Sequence, residues 1–203
     1  MSSSSSMQAA TNTAKKSPEY KNYPLFWIDI ETTGLDIETS KILELSLIVT
    51  DENLDIIDQG LDLVFSQPAS VLDGMDDWCR RTHASSGLID RVNASQITLE
   101  QGEQLLLDKI MTHCPRPRKA IFAGNSVHFD QLFIFKHMPS VQAHMHFRII
   151  DVSSINELGK RWAPQTTRAF GRKALNHRAR YDILESINEL RYYKNTFFSQ
   201  NIN

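Results

Sequence analysis

Four carboxylates and one imidazole are spaced so that they could act together. Asp29 and Glu31 stand two residues apart in the apolar run 26–35. Alternate side chains of a strand share a face, so both acids point one way while Ile28 and Ile30 point the other way, into a core. Paired acids on an apolar strand repel each other and lose hydration. A hard cation between them offsets that cost; an exposed edge strand with incidental acids is the plainer alternative. Asp130 follows a short apolar stretch by one turn, and Asp182 falls in the first turn of the last helical pattern. The helix dipole favours both positions. Asp151 also stands at a helix start, and capping is its expected role. His177 precedes Asp182 by five residues, about 140° of helical rotation. The two can share a site only if His177 lies on the segment leading into the helix. A lone histidine is most often a surface or core residue; placed there, it could swing toward a substrate held through Asp182.

The candidate donor set is all oxygen, which suits Mg²⁺ or Mn²⁺, two ions per site, better than zinc. Cys79 and His83 are only two soft ligands, with no partner pair nearby. Two hard cations roughly 3.5–4 Å apart stabilise the attacking and leaving oxygens of a phosphoryl displacement.

The elements that must position these groups read as follows. A strand covers 24–31, with Gly34 in the turn after it. A second strand covers 41–50, interrupted by Glu44, and a third lies within 54–65 after the turn Asp51-Glu52-Asn53. Sequential strands with such turns pair antiparallel. A helix is expected over 71–84, and another from the capping box Thr98/Gln101 to Met111, closed by Pro115 and Pro117. Then come a strand at 120–123, a turn at Gly124-Asn125-Ser126, a helix over 129–137, a strand over 147–152, and a helix over 155–162 capped by Ser153 or Ser154. A loop over 164–171 precedes a last helix from Ala179 to about Phe198. Late strands alternating with helices make an α/β layer fold, a mixed sheet of antiparallel and then parallel strands flanked by helices.

The chain has 203 residues, 41% hydrophobic and 23% charged, which suits one globular domain over 23–203 with a tail at 1–22. That tail is Ser-rich with Lys15, Lys16 and Lys21. It lacks the apolar region of a secretory signal and the arginines of a mitochondrial presequence, so disorder is expected there. Two cysteines, Cys79 and Cys114, give no disulfide framework and imply a reducing compartment, cytoplasmic or mitochondrial. No run approaches a membrane span. The net charge of −2 argues against a grip on long nucleic acid, which needs a basic surface. Between Lys160 and Tyr181 stand seven basic residues and no acid, either a solvated loop or a phosphate-attracting lid before His177.

The motifs WIDIETTGL (27–35), WCRRTHASSGL (78–88), GNSVHFD (124–130), FRIIDVSSINEL (147–158), HRARYD (177–182) and ESINELRYY (185–193), in that order, resemble those of oligoribonucleases, in the His-bearing branch of the four-acid DEDD exonucleases. The spelling GNSVHFD is similar to eukaryotic, particularly fungal, members. The resemblance implies a ribonuclease H-like fold, a homodimer and 3′→5′ removal of mononucleotides from RNA two to a few residues long. It implies that Asp29, Glu31, Asp130 and Asp182 ligate the metals and that His177 is the general base. It further implies Leu35 as a wedge between two bases, Trp78 and His83 in the base and 3′-end pockets, and Ser126, Arg148 and Ser153 as a cap over the 5′ phosphate. From spacing alone Leu35 and Trp78 could be plain core, and Arg148 could simply pair with Asp151. The chain departs from the family at Phe129, Gln131 and Phe147. At the last, a Tyr often precedes the cap Arg, and any role of its hydroxyl in a dimer-shared contact is lost. Two rivals stay open: an exonuclease acting on longer RNA or DNA, and a catalytically silent RNA-binding or dimeric scaffold.

Overall fold

The computed structural model describes residues 23–171 and 178–198; the tail at 1–22 and His177 lie outside them. Runs of aliphatic residues form β1 (Leu25–Thr32), β2 (Ile42–Thr50) and β3 (Ile56–Val64), paired as an antiparallel meander. β4 (Ile121–Gly124) joins the other side of β1 in parallel, and β5 (Ile149–Asp151) joins β4. The five strands run in the order β3-β2-β1-β4-β5. The expected mixed sheet, antiparallel and then parallel, is therefore present. Around it lie α1 (Ala69–Asp73), α2 (Asp77–Ser85), α3 (Leu88–Ala94), α4 (Leu99–His113), α5 (His128–His137), α6 (Pro139–His144), α7 (Val152–Trp162), α8 (Pro164–Ala169) and α9 (Ala179–Tyr193).

Helices cover both faces, so β2 is buried along its whole length. On one face Phe26, Ile28 and Ile30 pack with Leu106 and Ile110 of α4 and Phe133 and Ile134 of α5. On the other, Trp27 and Ile48 pack with Ile183, Ile187 and Leu190 of α9. Each such side chain contributes about 1.5–3 kcal/mol on burial, and a one-residue slip of β1 would exchange its faces. The packing that buries Ile28 and Ile30 under α4 and α5 thus turns Asp29 and Glu31 toward the α9 face.

Several boundaries differ from the sequence expectation. The helix expected over 71–84 is two. α1 stops at Gly74, and the Asp76 side chain accepts from the Cys79 N–H to start α2; a new N-cap outcompetes continuation. The strand over 147–152 shrinks to β5 because Asp151, rather than Ser153 or Ser154, caps α7 by accepting from the Ser153 N–H at 2.9 Å. The expected loop 164–171 contains α8, with Pro164 at its first position, where a missing N–H costs nothing. Short helices α3 and α6 had no expected counterpart. The last α-helix ends at Tyr193 and widens into a π turn over Lys194–Phe198. The Thr98/Gln101 capping box is present. Among the described residues no helix is long and apolar enough to cross a membrane.

Candidate active site at the carboxyl ends of the central strands

β1 and β4 pair from Leu25 and Ile121 as far as Trp27 and Ala123. Gly124 ends β4 close against β1, where a Cβ would stand 2.9 Å from the Ile28 carbonyl oxygen. The carboxyl end of β1 runs on past its pairing with β4, and ligand sites in α/β sheets form in the crevice outside strand carboxyl ends. Asp29 and Glu31 line it. The first turn of α9 brings in Asp182, and carboxylate oxygens of these three lie within 4.8 Å of one another. Asp130 arrives from α5, 5% exposed, with Oδ1 accepting from the Ile30 N–H at 2.9 Å. It stands outside the tight triplet, bound to the free edge of β1 beside it.

Burial, then repulsion from Asp130, Glu31 and Asp182, holds the Asp29 carboxyl well above its ordinary range. Burial first, then Glu44, Asp182 and Asp130, pushes Glu31 up to about 7. Burial also pushes Asp130 up to about 7, against the bond from Ile30 that favours its ionised form. Among the described residues no lysine or arginine forms an ion pair with Asp29, Glu31 or Asp130. Crowded oxygen donors, three of them (Asp29, Glu31 and Asp130) without a lysine or arginine ion pair among the described residues, fit a hard divalent cation. Asp29, Glu31, Asp182 and Asp130 are the residues that would hold it.

Glu31 also lines a cleft of about 460 Å³ with Leu35, Trp78, Cys79, His83 and Phe129. Leu35 is 81% and Trp78 58% exposed, so neither is core. The turn that presents Leu35 is braced: Thr32 Oγ1 donates to the Gly34 carbonyl at 2.7 Å and the Lys41 N–H to Thr33 Oγ1 at 2.9 Å. Gly34 is needed for close approach, since a Cβ there would meet Ser40 Oγ at 2.9 Å. His83 is buried; Nε2 bonds the Thr32 carbonyl at 2.8 Å, and Nδ1 lies 3.9 Å from Glu31.

Ser126 and Ser153 come together across the β4 and β5 ends, hydroxyl to hydroxyl at 3.2 Å. Asp151 accepts from the N–H groups of Ser126 and Ser153, both at 2.9 Å, which bears out its capping role. Among the described residues Arg148 makes no ion pair with Asp151. It lines a separate hollow with Tyr23, Lys119 and His146, its guanidinium 5.5 Å from the Phe147 ring. Within one chain the two serines meet and Arg148 stands apart. Three of the seven basic residues of the stretch are committed elsewhere: Lys160 and Arg161 bond Glu157, and Arg180 bonds Asp62. Arg172 and Lys173 lie outside the described residues.

Two features escaped sequence reasoning. Phe129 joins the cleft, although its position one residue before Asp130 pointed there. Glu44 faces Glu31 across the β1–β2 ladder and takes a bidentate grip from Arg91 at 2.6 and 3.0 Å; strand register was its only signal.

Residues 26–190 match the exonuclease family model RNase T. The mouse "Oligoribonuclease, mitochondrial" is 44% identical over 176 residues, 87% of this chain and 74% of that one. The Chromobacterium violaceum oligoribonuclease is 43% identical over 173 residues, 85% of this chain and 94% of that one. Among solved structures, S. pombe Pop2p in its Mg²⁺- and Mn²⁺-bound form superposes with TM-score 0.68 at 13% identity, covering 89% of this chain and 86% of that one, a likeness of fold. Carboxylates at the ends of a ribonuclease H-like sheet and a family match along almost its whole described length place the chain in the oligoribonuclease family of the DEDD 3′→5′ exoribonucleases.

Proposed function

We propose that the protein hydrolyses very short RNA, dinucleotides above all, to nucleoside 5′-monophosphates. The observation that carries this is the continuity of one cleft, with Glu31 at its acid end and the exposed Leu35 and Trp78 a few residues away. Its volume of about 460 Å³ falls in the roughly 300–1,000 Å³ range of small-ligand sites, which suits a substrate of very few nucleotides. Leu35 wedges between two bases, Trp78 stacks on one of them, and the buried His83 shapes the end beside Glu31.

Two Mg²⁺ or Mn²⁺ ions bound by Asp29, Glu31, Asp130 and Asp182 would stabilise the attacking and leaving oxygens. His177 accepts the proton of the attacking water, which lets hydroxide form at the phosphorus. Ser126 and Ser153 donate hydroxyl bonds to the 5′ phosphate, and Arg148 supplies the charge. Because Arg148 stands apart from the serines, Arg148→Ala is the variant that decides whether it reaches the phosphate at all.

The protein works as a homodimer. In support, Phe147, Leu158 and Trp162 are 70%, 43% and 76% exposed, an apolar cost that a second copy would relieve. Free, buried Cys79 and Cys114 support a reducing compartment, cytoplasm or mitochondrion. The test is product analysis on a ladder of labelled RNAs with and without Mg²⁺. Release of mononucleotides fastest from the dinucleotide is the expected outcome. Equal or faster turnover of twenty-residue RNA would favour the long-substrate rival, and no release at all would favour a silent binding protein.

A further inference from the structure

Asp182 stands against two acids that repel it, its carboxylate oxygens within 4.8 Å of those of Asp29 and Glu31. Arg178, the N-cap residue of α9, makes no side-chain cap bond, and uncapped first turns fray. The turn has another anchor. Arg180, two residues before Asp182, spreads its guanidinium over β3. Nη1 donates to the Gln59 carbonyl at 3.0 Å and to Asp62 Oδ2 at 3.1 Å, and Nη2 donates to Gln59 Oε1 at 2.6 Å.

The acceptor is itself fixed to the sheet row that carries the metal acids. Asp29, Ser46 and Asp62 stand opposite one another across β1, β2 and β3. Directly opposed residues share a face. Ser46, fully buried, donates its hydroxyl to Asp62 Oδ1 at 2.7 Å. Asp62 thus has one oxygen tied to the row of Asp29 and the other to the turn of Asp182. On the far side of the turn Asn125 Nδ2 donates to Ser186 Oγ at 2.7 Å, and that hydroxyl donates to the Asp182 carbonyl at 2.7 Å.

We infer that Arg180 is a positioning residue. Its fork onto Gln59 and Asp62 clamps the first turn of α9 to β3 and sets the Asp182 carboxylate at its spacing from Asp29 and Glu31. The inference rests on the proposed metal-dependent hydrolysis, and it removes Arg180 from the phosphate-attracting lid. A planar fork with three fixed acceptors gives orientation that a single point charge does not. A surface ion pair contributes little stability, so the clamp acts on geometry more than on unfolding. A misplacement of about 1 Å can cost on the order of a hundredfold in rate, and partial fraying of one turn costs less.

The test compares Arg180→Gln, Asp62→Asn, their double variant and Arg180→Lys. Mn²⁺ affinity is read without substrate by the electron paramagnetic resonance of free Mn²⁺, and kcat and KM are read on a dinucleotide in Mg²⁺. Asp62→Asn keeps an acceptor for Ser46 and removes the charged one of the three acceptors of Arg180. Each single variant weakens Mn²⁺ binding several-fold and lowers kcat roughly tenfold at nearly unchanged KM. The double variant is no worse than the worse single, and Arg180→Lys recovers part of the loss. A raised KM in Arg180→Gln, with kcat and Mn²⁺ binding intact and Asp62→Asn silent, would make Arg180 a phosphate contact and overturn the clamp. Additive losses, or a lower melting temperature with unchanged Mn²⁺ affinity, would also overturn it. A wild-type protein that binds Mn²⁺ but cleaves no dinucleotide would instead refute the substrate assignment, leaving the Mn²⁺ comparison to judge the clamp.

Discussion

One carboxylate on β3 and a cluster of carboxylates around the end of β1 are treated in opposite ways. Asp58 on β3 accepts from Lys109 Nζ at 3.1 Å, bonds His113 Nε2 at 2.7 Å and accepts from the Gly60 N–H at 2.7 Å. Burial opposes its ionised form, but His113, the Gly60 amide and Lys109 outweigh burial and hold its pKa down to about 2. Asp29, Glu31 and Asp130 are more deeply enclosed and have no lysine or arginine partner among the described residues; Glu31 and Asp130 are pushed up to about 7. The chain can neutralise a carboxylate where it serves structure. At the carboxyl end of β1, among the described residues, it gives Asp29, Glu31 and Asp130 no such cationic partner. That difference, more than the number of acids, marks the site.

The sharpest way to break the contrast is to neutralise one carboxylate on each side of it. Asp29→Asn or Asp182→Asn should cut Mg²⁺-dependent dinucleotide cleavage by about a thousandfold or more, given the several kcal/mol a bound cation contributes at the transition state. Asp58→Asn should leave kcat nearly unchanged. Comparable losses at Asp29 and Asp58, measured in one assay, would erase the distinction.

Stability should respond in reverse. Asp58→Asn leaves Lys109 and His113 facing a weaker acceptor and should lower unfolding free energy by about 1–3 kcal/mol, read by urea denaturation. Asp29→Asn removes a repelling charge and should raise the melting temperature of the metal-free protein. A drop there would mean that Asp29 is paired by the fold itself.

The pH dependence carries opposite signs. Glu31 and Asp130 have folded pKa values raised above their unfolded ones, so their contribution is present below about pH 4 and is lost as pH rises through about 7. Asp58 is depressed, so its contribution is present above about pH 4 and is lost as pH falls toward 2. The melting temperature in EDTA should therefore fall by a few degrees between about pH 5 and about pH 8, and Mg²⁺ should restore more at the higher pH. A flat profile in EDTA, with no added effect of Mg²⁺, would refute the account of an open acid cluster.

The smallest effect on stability belongs to the cleft. Trp78 is exposed, so Trp78→Ala should barely move the melting temperature. Loss of a stack worth about 1 kcal/mol should raise KM for a dinucleotide about fivefold. Unchanged KM would remove Trp78 from the substrate contact.

Much of this is legible in the chain. The period of two in β1 separates Asp29 and Glu31 from Ile28 and Ile30, because burying the isoleucines leaves the acids no other side. The first-turn positions of Asp130 and Asp182 are legible for the same kind of reason, since helix starts show in local patterns. Spacing could not decide whether Leu35 and Trp78 were core: apolar side chains look alike in a pattern whether they face a core or a ligand. The break between α1 and α2 was missed because the Asp76 cap competes locally with a continuous apolar stripe. α3 and α6, seven and six residues long, span fewer than two turns, too few for an apolar stripe to repeat.

By itself, then, the sequence determined which residues carry charge, which faces they share on a strand or helix, and the family to which the ordered motifs belong. These depend on near neighbours along the chain. Only the tertiary structure decided that Ser126 and Ser153 meet while Arg148 stands apart, that Glu44 answers Arg91, and that Arg180 grips Asp62 118 residues away. Such pairings depend on strand order, register and the angle at which α9 crosses the sheet. Those are set by the burial of Trp27, Ile48, Ile183 and Ile187 together, a packing that no local stretch contains.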